Sequence, residues 1–161
     1  MLKIKNNIFL VFILFFILAA LIFAFIIEHE LGHKPCRLCI YERIPYVLSI
    51  FLIIEIIFFK KYEKTTLLLL TLIFFISAGL AFYHFGIEQG FFKESLVCQN
   101  QNITDALTKE QILEELKNTN VSCKEVNFRI FGISLATINT IFSLILSVIF
   151  LKLFLKYGKN K

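Results

Sequence analysis

Four long apolar runs, separated by short polar stretches, set the first expectation for this chain. Ile8 to Ile27 holds twenty residues without a charge, which at about 1.5 Å per residue matches a hydrocarbon core of about 30 Å. It predicts a membrane-spanning helix. Lys3 and Lys5 give the basic start that a cleaved signal also has, but the run exceeds the apolar region of such signals and no small-x-small cleavage site follows. The second run, Ile44 to Phe59, contains Glu55 and alone would reach only about 24 Å. Its helix is therefore expected to begin near Cys39, with a bend at Pro45, whose missing N–H membrane helices tolerate. Glu55 reads as an interfacial or helix-pairing carboxylate. The third run, about Thr65 to Gly86, and the fourth, Ile130 to Leu151, are each long enough to span.

The expected fold class is all-α: a four-transmembrane-helix bundle forming one integral membrane domain over residues 1–161, with spans at about 8–27, 40–59, 65–86 and 130–151. Loops at about 28–39 and 87–129 lie on the side away from the cytoplasm. In the second loop, Thr108-Lys109-Glu110-Gln111 fits a capping box. Ile112, Leu113 and Leu116 then make a narrow apolar stripe, so Lys109 to Lys117 is expected to form a short amphipathic helix on the membrane surface.

Composition agrees and charge adds an orientation. With 58% hydrophobic residues, 20 phenylalanines and a mean hydropathy of +0.77 in 161 residues, the chain is too apolar for a soluble domain. The net charge of +5 comes from basic residues beside apolar segments, not from an aromatic-interleaved basic patch, so nucleic acid is not an expected partner. The N-terminus, the turn around Lys60 to Lys64 and the tail together carry nine Lys/Arg against one acid, Glu63. The other side carries eight against ten acids over longer segments. Both termini are therefore expected in the cytoplasm, with all four cysteines outside.

The chemistry concentrates in Lys34-Pro35-Cys36-Arg37-Leu38-Cys39-Ile40-Tyr41-Glu42-Arg43. On one helix Cys36, Cys39 and Arg43 would share a stripe. Pro35 in the first turn would set Cys36 at the positive end of the helix dipole, favouring a thiolate. Cys98 and Cys123 bracket the outer loop and on their own read as a structural disulfide. A Cys-x-x-Cys on the same side closes too short a loop to act as a staple. Two dithiols on one face instead suggest a relay by thiol–disulfide exchange. Structural zinc is disfavoured, because Cys98 and Cys123 lack the tight spacing of a second half-site and Arg43 would have no role; no metal is expected. Arg43 reads either as an interfacial anchor or as a cation that supports the Cys39 thiolate and donates to a quinone carbonyl. His84, four residues before Glu88, reads either as a packed histidine or as a group assisting proton uptake at a quinone.

Pro-Cys-x-x-Cys-Ile-Tyr-Glu-Arg at 35–43, Tyr-His-x-Gly-x-Glu-Gln-Gly-Phe-Phe at 83–92, Cys98, and Ser-Cys-Lys-Glu-Val-Asn-Phe-Arg-Ile-Phe-Gly-Ile-Ser at 122–134 occur in this order. Together they resemble the DsbB disulfide bond formation proteins of bacterial inner membranes. The resemblance implies that Cys98 and Cys123 form a loop disulfide that oxidises a periplasmic thioredoxin-like, DsbA-type partner, Cys98 entering the mixed disulfide. It further implies that Cys123 exchanges with Cys36, that Cys39 passes electrons to ubiquinone or menaquinone, and that Arg43 sits at the quinone. Two other readings stay open: a quinone-linked reductase similar in plan to the vitamin K epoxide reductases, and a membrane scaffold with structural disulfides.

Overall fold

The computed structural model describes residues 2–32, 34–59, 62–94, 98, 122–124, 129–130 and 132–159. Helix α1 runs Leu2–His29, α2 Arg37–Tyr41, α3 Arg43–Phe59, α4 Glu63–Glu88 and α5 Leu135–Lys159. Two-residue strands, β1 (Arg129–Ile130) and β2 (Ile133–Ser134), pair antiparallel just ahead of α5, with Arg129 opposite Ser134. Among the described residues, three stretches are long and apolar enough to cross a membrane: Ile8–His29, Glu63–Glu88 and Leu135–Lys156. Helix α3, at 17 residues, reaches about 26 Å. The amphipathic helix expected over Lys109 to Lys117 lies outside the described residues.

Two helix starts differ from the expectation. The second span does not run unbroken from near Cys39, because α2 ends at Tyr41, Glu42 caps it and α3 begins at Arg43. Pro45 explains the break: in one continuous helix its ring would clash with the Tyr41 carbonyl, whereas in the first turn of α3 its missing N–H costs nothing. The Cys36–Cys39–Arg43 stripe therefore does not lie on one helix. Cys36 is the N-cap of α2, and Pro35 precedes the helix instead of occupying its first turn. At the other end of the chain the last helix starts at Leu135, not Ile130. Gly132 turns the preceding hairpin at φ +83°, and Ser134 Oγ accepts the Thr137 N–H at 3.3 Å as a helix cap.

The helices share an apolar seam in which Leu10, Ile13 and Ile17 of α1 meet Ile53 and Ile56 of α3, Leu70 and Phe74 of α4, and Leu146 and Phe150 of α5. Their spacings of three and four residues put them on one side of each helix. Phe15, Phe51, Phe58 and Phe75 point outward, as suits a lipid-facing surface. Lipid tails are as apolar as leucine, so the hydrophobic effect does not drive these helices together; close packing and hydrogen bonds do. The α4–α5 interface shows both, with Ser77, Ala78 and Ala81 buried on α4, which packs closely on α5. Ser77 and Ser143 hydroxyls lie 3.2 Å apart, and Ser147 Oγ donates to the Thr71 carbonyl at 3.2 Å. Glu55 pairs helices as expected, accepting from Thr66 Oγ1 of α4 at 3.0 Å.

The end of α4 is held by a Schellman motif. Gly90, at φ +78°, occupies a left-handed position that a side chain would strain. Its N–H bonds the Ile87 carbonyl at 3.0 Å, and the Phe91 N–H bonds the Gly86 carbonyl at 2.8 Å. The turn folds the Phe92 ring onto Gly86, where any Cβ would collide with it.

Candidate active site at the cysteine end of the bundle

The N-cap position bends Cys36 back over α2, so that its Sγ accepts the Cys39 N–H at 3.2 Å. This satisfies one of the unpaired donors of the first turn and places sulfur at the positive end of the short helix. The Cys36 and Cys39 sulfurs stand 2.6 Å apart as free thiols, about half an ångström beyond a disulfide bond. The Cys39 thiol hydrogen bond, with His84 adding to it, outweighs burial and brings Cys36 down to about 5. Of the pair, Cys36 is the one favoured as a thiolate.

His84, buried near the end of α4, turns Nε2 towards Cys36 Sγ at 3.5 Å and Nδ1 towards Glu42 Oε1 at 2.8 Å. The second Glu42 oxygen accepts Asn139 Nδ2 of α5 at 2.6 Å. Asn139 Oδ1 accepts the Tyr46 hydroxyl of α3, which lies 3.0 Å from Ser143 Oγ. The chain of bonds is self-consistent. A carboxylate only accepts, so Asn139 must present its amide nitrogen to Glu42 and its carbonyl to Tyr46, and His84 must carry its proton on Nδ1. Glu88 lies 3.8 Å from His84 Nε2, and its Oε2 is buried without a hydrogen-bond partner among the described residues.

Cys98 and Cys123 are joined in a disulfide with Cα atoms 5.5 Å apart. Both are buried and pack with Cys36, Leu38 and Ile87, with Cys39 and Tyr83 alongside. The loop is tied to the end of α4: Glu94 accepts the Ser122 hydroxyl and, at 3.1 Å, the Lys124 N–H, while the Tyr83 hydroxyl donates to the Lys93 carbonyl at 3.3 Å. Two cysteine pairs far apart in sequence thus share one buried cluster.

On the other side of the motif a cavity of about 440 Å³ opens between α1 and α5. Ala19, Ala20, Phe23 and Ala24 of α1 line its apolar wall, and Cys36, Cys39, Glu42, Arg43, His84 and Glu88 lie at its polar end. Arg43 does not pair with Cys39. Its Nη1 donates to Glu28 Oε2 of α1 at 2.5 Å, and its guanidinium lies 5.0 Å from the Phe25 ring centroid. Cys36, Cys39 and His84 also bring three ligand-type atoms within 4.8 Å of one another. A tetrahedral zinc there would need the two thiolates more than about 3 Å apart, further than the 2.6 Å between them.

Residues 6–153 match the family described as disulfide bond formation protein DsbB. The chain belongs to the DsbB family. A protein of Rickettsia prowazekii (strain Madrid E), described as uncharacterized, is 32% identical over 143 residues, 88% of this chain and 83% of its own length. Family membership and the apolar helices make this a membrane protein of disulfide bond formation. Of the residues singled out in the sequence, the four cysteines cluster, His84 faces Cys36, and Arg43 joins Cys36, Cys39 and His84 at the cavity. Glu42, Asn139, Tyr46 and Glu28 also belong to the site but were not singled out. Glu42 carried a readable signal, an acid at the edge of an apolar run; Asn139 became visible only once α5 packed beside α3.

Proposed function

We propose that this DsbB-family chain is a quinone-dependent protein-disulfide oxidoreductase. It spans the bacterial inner membrane four times, α2 and α3 together forming the second span, with both termini in the cytoplasm and the cysteine loops in the periplasm. It reoxidises a thioredoxin-like dithiol partner of DsbA type and passes the electrons to ubiquinone or menaquinone. The observation that carries this reading is the burial of the Cys98–Cys123 disulfide against Cys36, at the polar end of an apolar cavity.

A partner thiolate attacks Cys98 and Cys123 leaves as a thiolate; the partner's second thiolate then displaces Cys98, so the partner departs as a disulfide and the loop holds two electrons. Cys123 next attacks Cys36 of an oxidised motif, Cys39 leaves as a thiolate, and Cys98 displaces Cys36. The loop disulfide is restored and the motif is a dithiol, which is the pattern of bonded and free cysteines in the structure. A bound quinone supplies the motif with an acceptor for two electrons and two protons. The cavity suits such a group: its volume falls in the ordinary range for small-molecule sites, its wall is apolar, and the Arg43 guanidinium gives its polar end a hydrogen-bond donor. Arg43 would donate to a carbonyl oxygen there, with Cys39 and His84 beside it.

The deciding experiment mixes purified protein with a reduced thioredoxin-like substrate and either ubiquinone or menaquinone, and follows quinone reduction. Turnover is expected with at least one pairing. None with several partners and both quinones would overturn the reading. Alkylation trapping separates the remaining possibilities, because a relay predicts cysteines that cycle with quinone supply, and a staple predicts Cys98 and Cys123 oxidised throughout.

A further inference from the structure

The buried groups around Cys36 form an ordered sequence that thiol exchange alone does not require. Cys36 Sγ faces His84 Nε2 at 3.5 Å, His84 Nδ1 faces Glu42 Oε1 at 2.8 Å, and Glu42 Oε2 is clamped by Asn139 Nδ2 at 2.6 Å. Glu42 and His84 are 7% and 4% exposed, so each loses most of its hydration and must be compensated within the protein. Nucleophile, base and orienting acid in this order make up the geometry by which a histidine is held in one tautomer and its charged form stabilised.

We propose that Glu42 is the positioning acid of a Cys36–His84–Glu42 relay in which His84 Nε2 takes the Cys36 proton. The inference rests on the reading of Cys36 as the exchanging thiol. In the step, the Cys36 S–H bond breaks with its electron pair left on sulfur, an N–H bond forms at His84 Nε2, and the positive charge on the ring faces Glu42. Nothing is oxidised or reduced. The thiolate keeps the hydrogen bond from the Cys39 N–H. Asn139 prevents Glu42 from swinging away, and Tyr46 and Ser143 hold Asn139.

Among the described residues, other titratable or charged groups face the pair from each neighbouring element. Cys39 comes from α2, Tyr46 from α3, and Tyr83 and Glu88 from α4. Glu28 of α1 is engaged by Arg43, and Lys34 lines the same cavity from the segment before α2. Glu88 is the competitor, but it lies 3.8 Å from the nitrogen that faces sulfur, against 2.8 Å for Glu42 on the opposite nitrogen.

The test is the pH profile of iodoacetamide labelling at Cys36, read by peptide mass spectrometry on the full-length protein in detergent, with the motif reduced and the loop disulfide intact. Glu42→Gln is expected to raise the labelling midpoint by about one pH unit, slowing labelling about tenfold below it. His84→Gln should do the same, and Asn139→Ala should shift it in the same direction by less. A downward shift in Glu42→Gln would mean that Glu42 acts only as a charge repelling the thiolate, and would overturn the proposal. So would an unchanged midpoint, or an equal upward shift in Glu88→Gln. Should Glu42→Gln lose the loop disulfide or the fold, Asn139→Ala decides by the same criterion. Labelling needs neither quinone nor partner, so failure here is distinguishable from failure of the quinone-linked oxidase reading.

Discussion

Arg43 shows how a charged group at a membrane boundary acquires a second partner. Its bond to Glu28 and its position over Phe25 hold the guanidinium at the cavity, drawn towards α1 and not towards Cys39. On the proposed function, Arg43→Ala is therefore expected to leave Glu28 uncompensated and to weaken quinone use, while oxidation of a reduced partner by Cys98 and Cys123 stays largely intact. Stopped-flow measurement of the two half-reactions checks this; equal loss in both would make Arg43 structural. The cysteines and Arg43 were readable from the chain because their chemistry is rare beside apolar runs. The assignment of Arg43 to Cys39 assumed an unbroken helix through Glu42, and that helix is broken.

The break and the cap around it are local consequences of a few residues. Pro45 ends α2 early and turns Glu42 into its C-cap, which brings an acid that would have lain mid-helix to His84. Gly90 does the corresponding work at the end of α4, closing the turn that leads towards Glu94 and the tied Cys123 segment. Gly90→Ala is expected to cost about 1 kcal/mol, since a left-handed backbone opposes any Cβ. Thermal denaturation in detergent should show the loss, with the loop disulfide more readily reduced by dithiothreitol; an unchanged midpoint would argue against the cap. Of the two devices, the bend at Pro45 was legible in outline, as a proline in the second apolar run. The start of α5 was less so, because Ile130 to Ile133 is as apolar as a helix start and only the hairpin at Gly132 takes it out of the helix.

Across the bundle, polar contacts supply what apolar packing in lipid cannot. Tyr46 joins α3 to Asn139 and Ser143 of α5, and Ser143 reaches Ser77 of α4. Tyr46→Phe keeps the ring packing against Phe74 and Phe142 and removes only the hydroxyl. It is expected to cost about 1 kcal/mol, the usual scale for such bonds between membrane helices, and to lower the midpoint of thermal unfolding; no change would assign the helix pairing to packing alone. The apolar run lengths placed four apolar segments, three of them seen as helices long and apolar enough to cross a membrane, and the motif spacing singled out the cysteines as the candidate chemistry, because both depend on local chain properties. Only the tertiary structure decided that the Cys98–Cys123 disulfide packs on Cys36, that His84 faces it, and that Glu42 and Asn139 stand behind His84. Those contacts join residues 42 to 97 positions apart, and such distances are closed by helix packing, which no local pattern encodes.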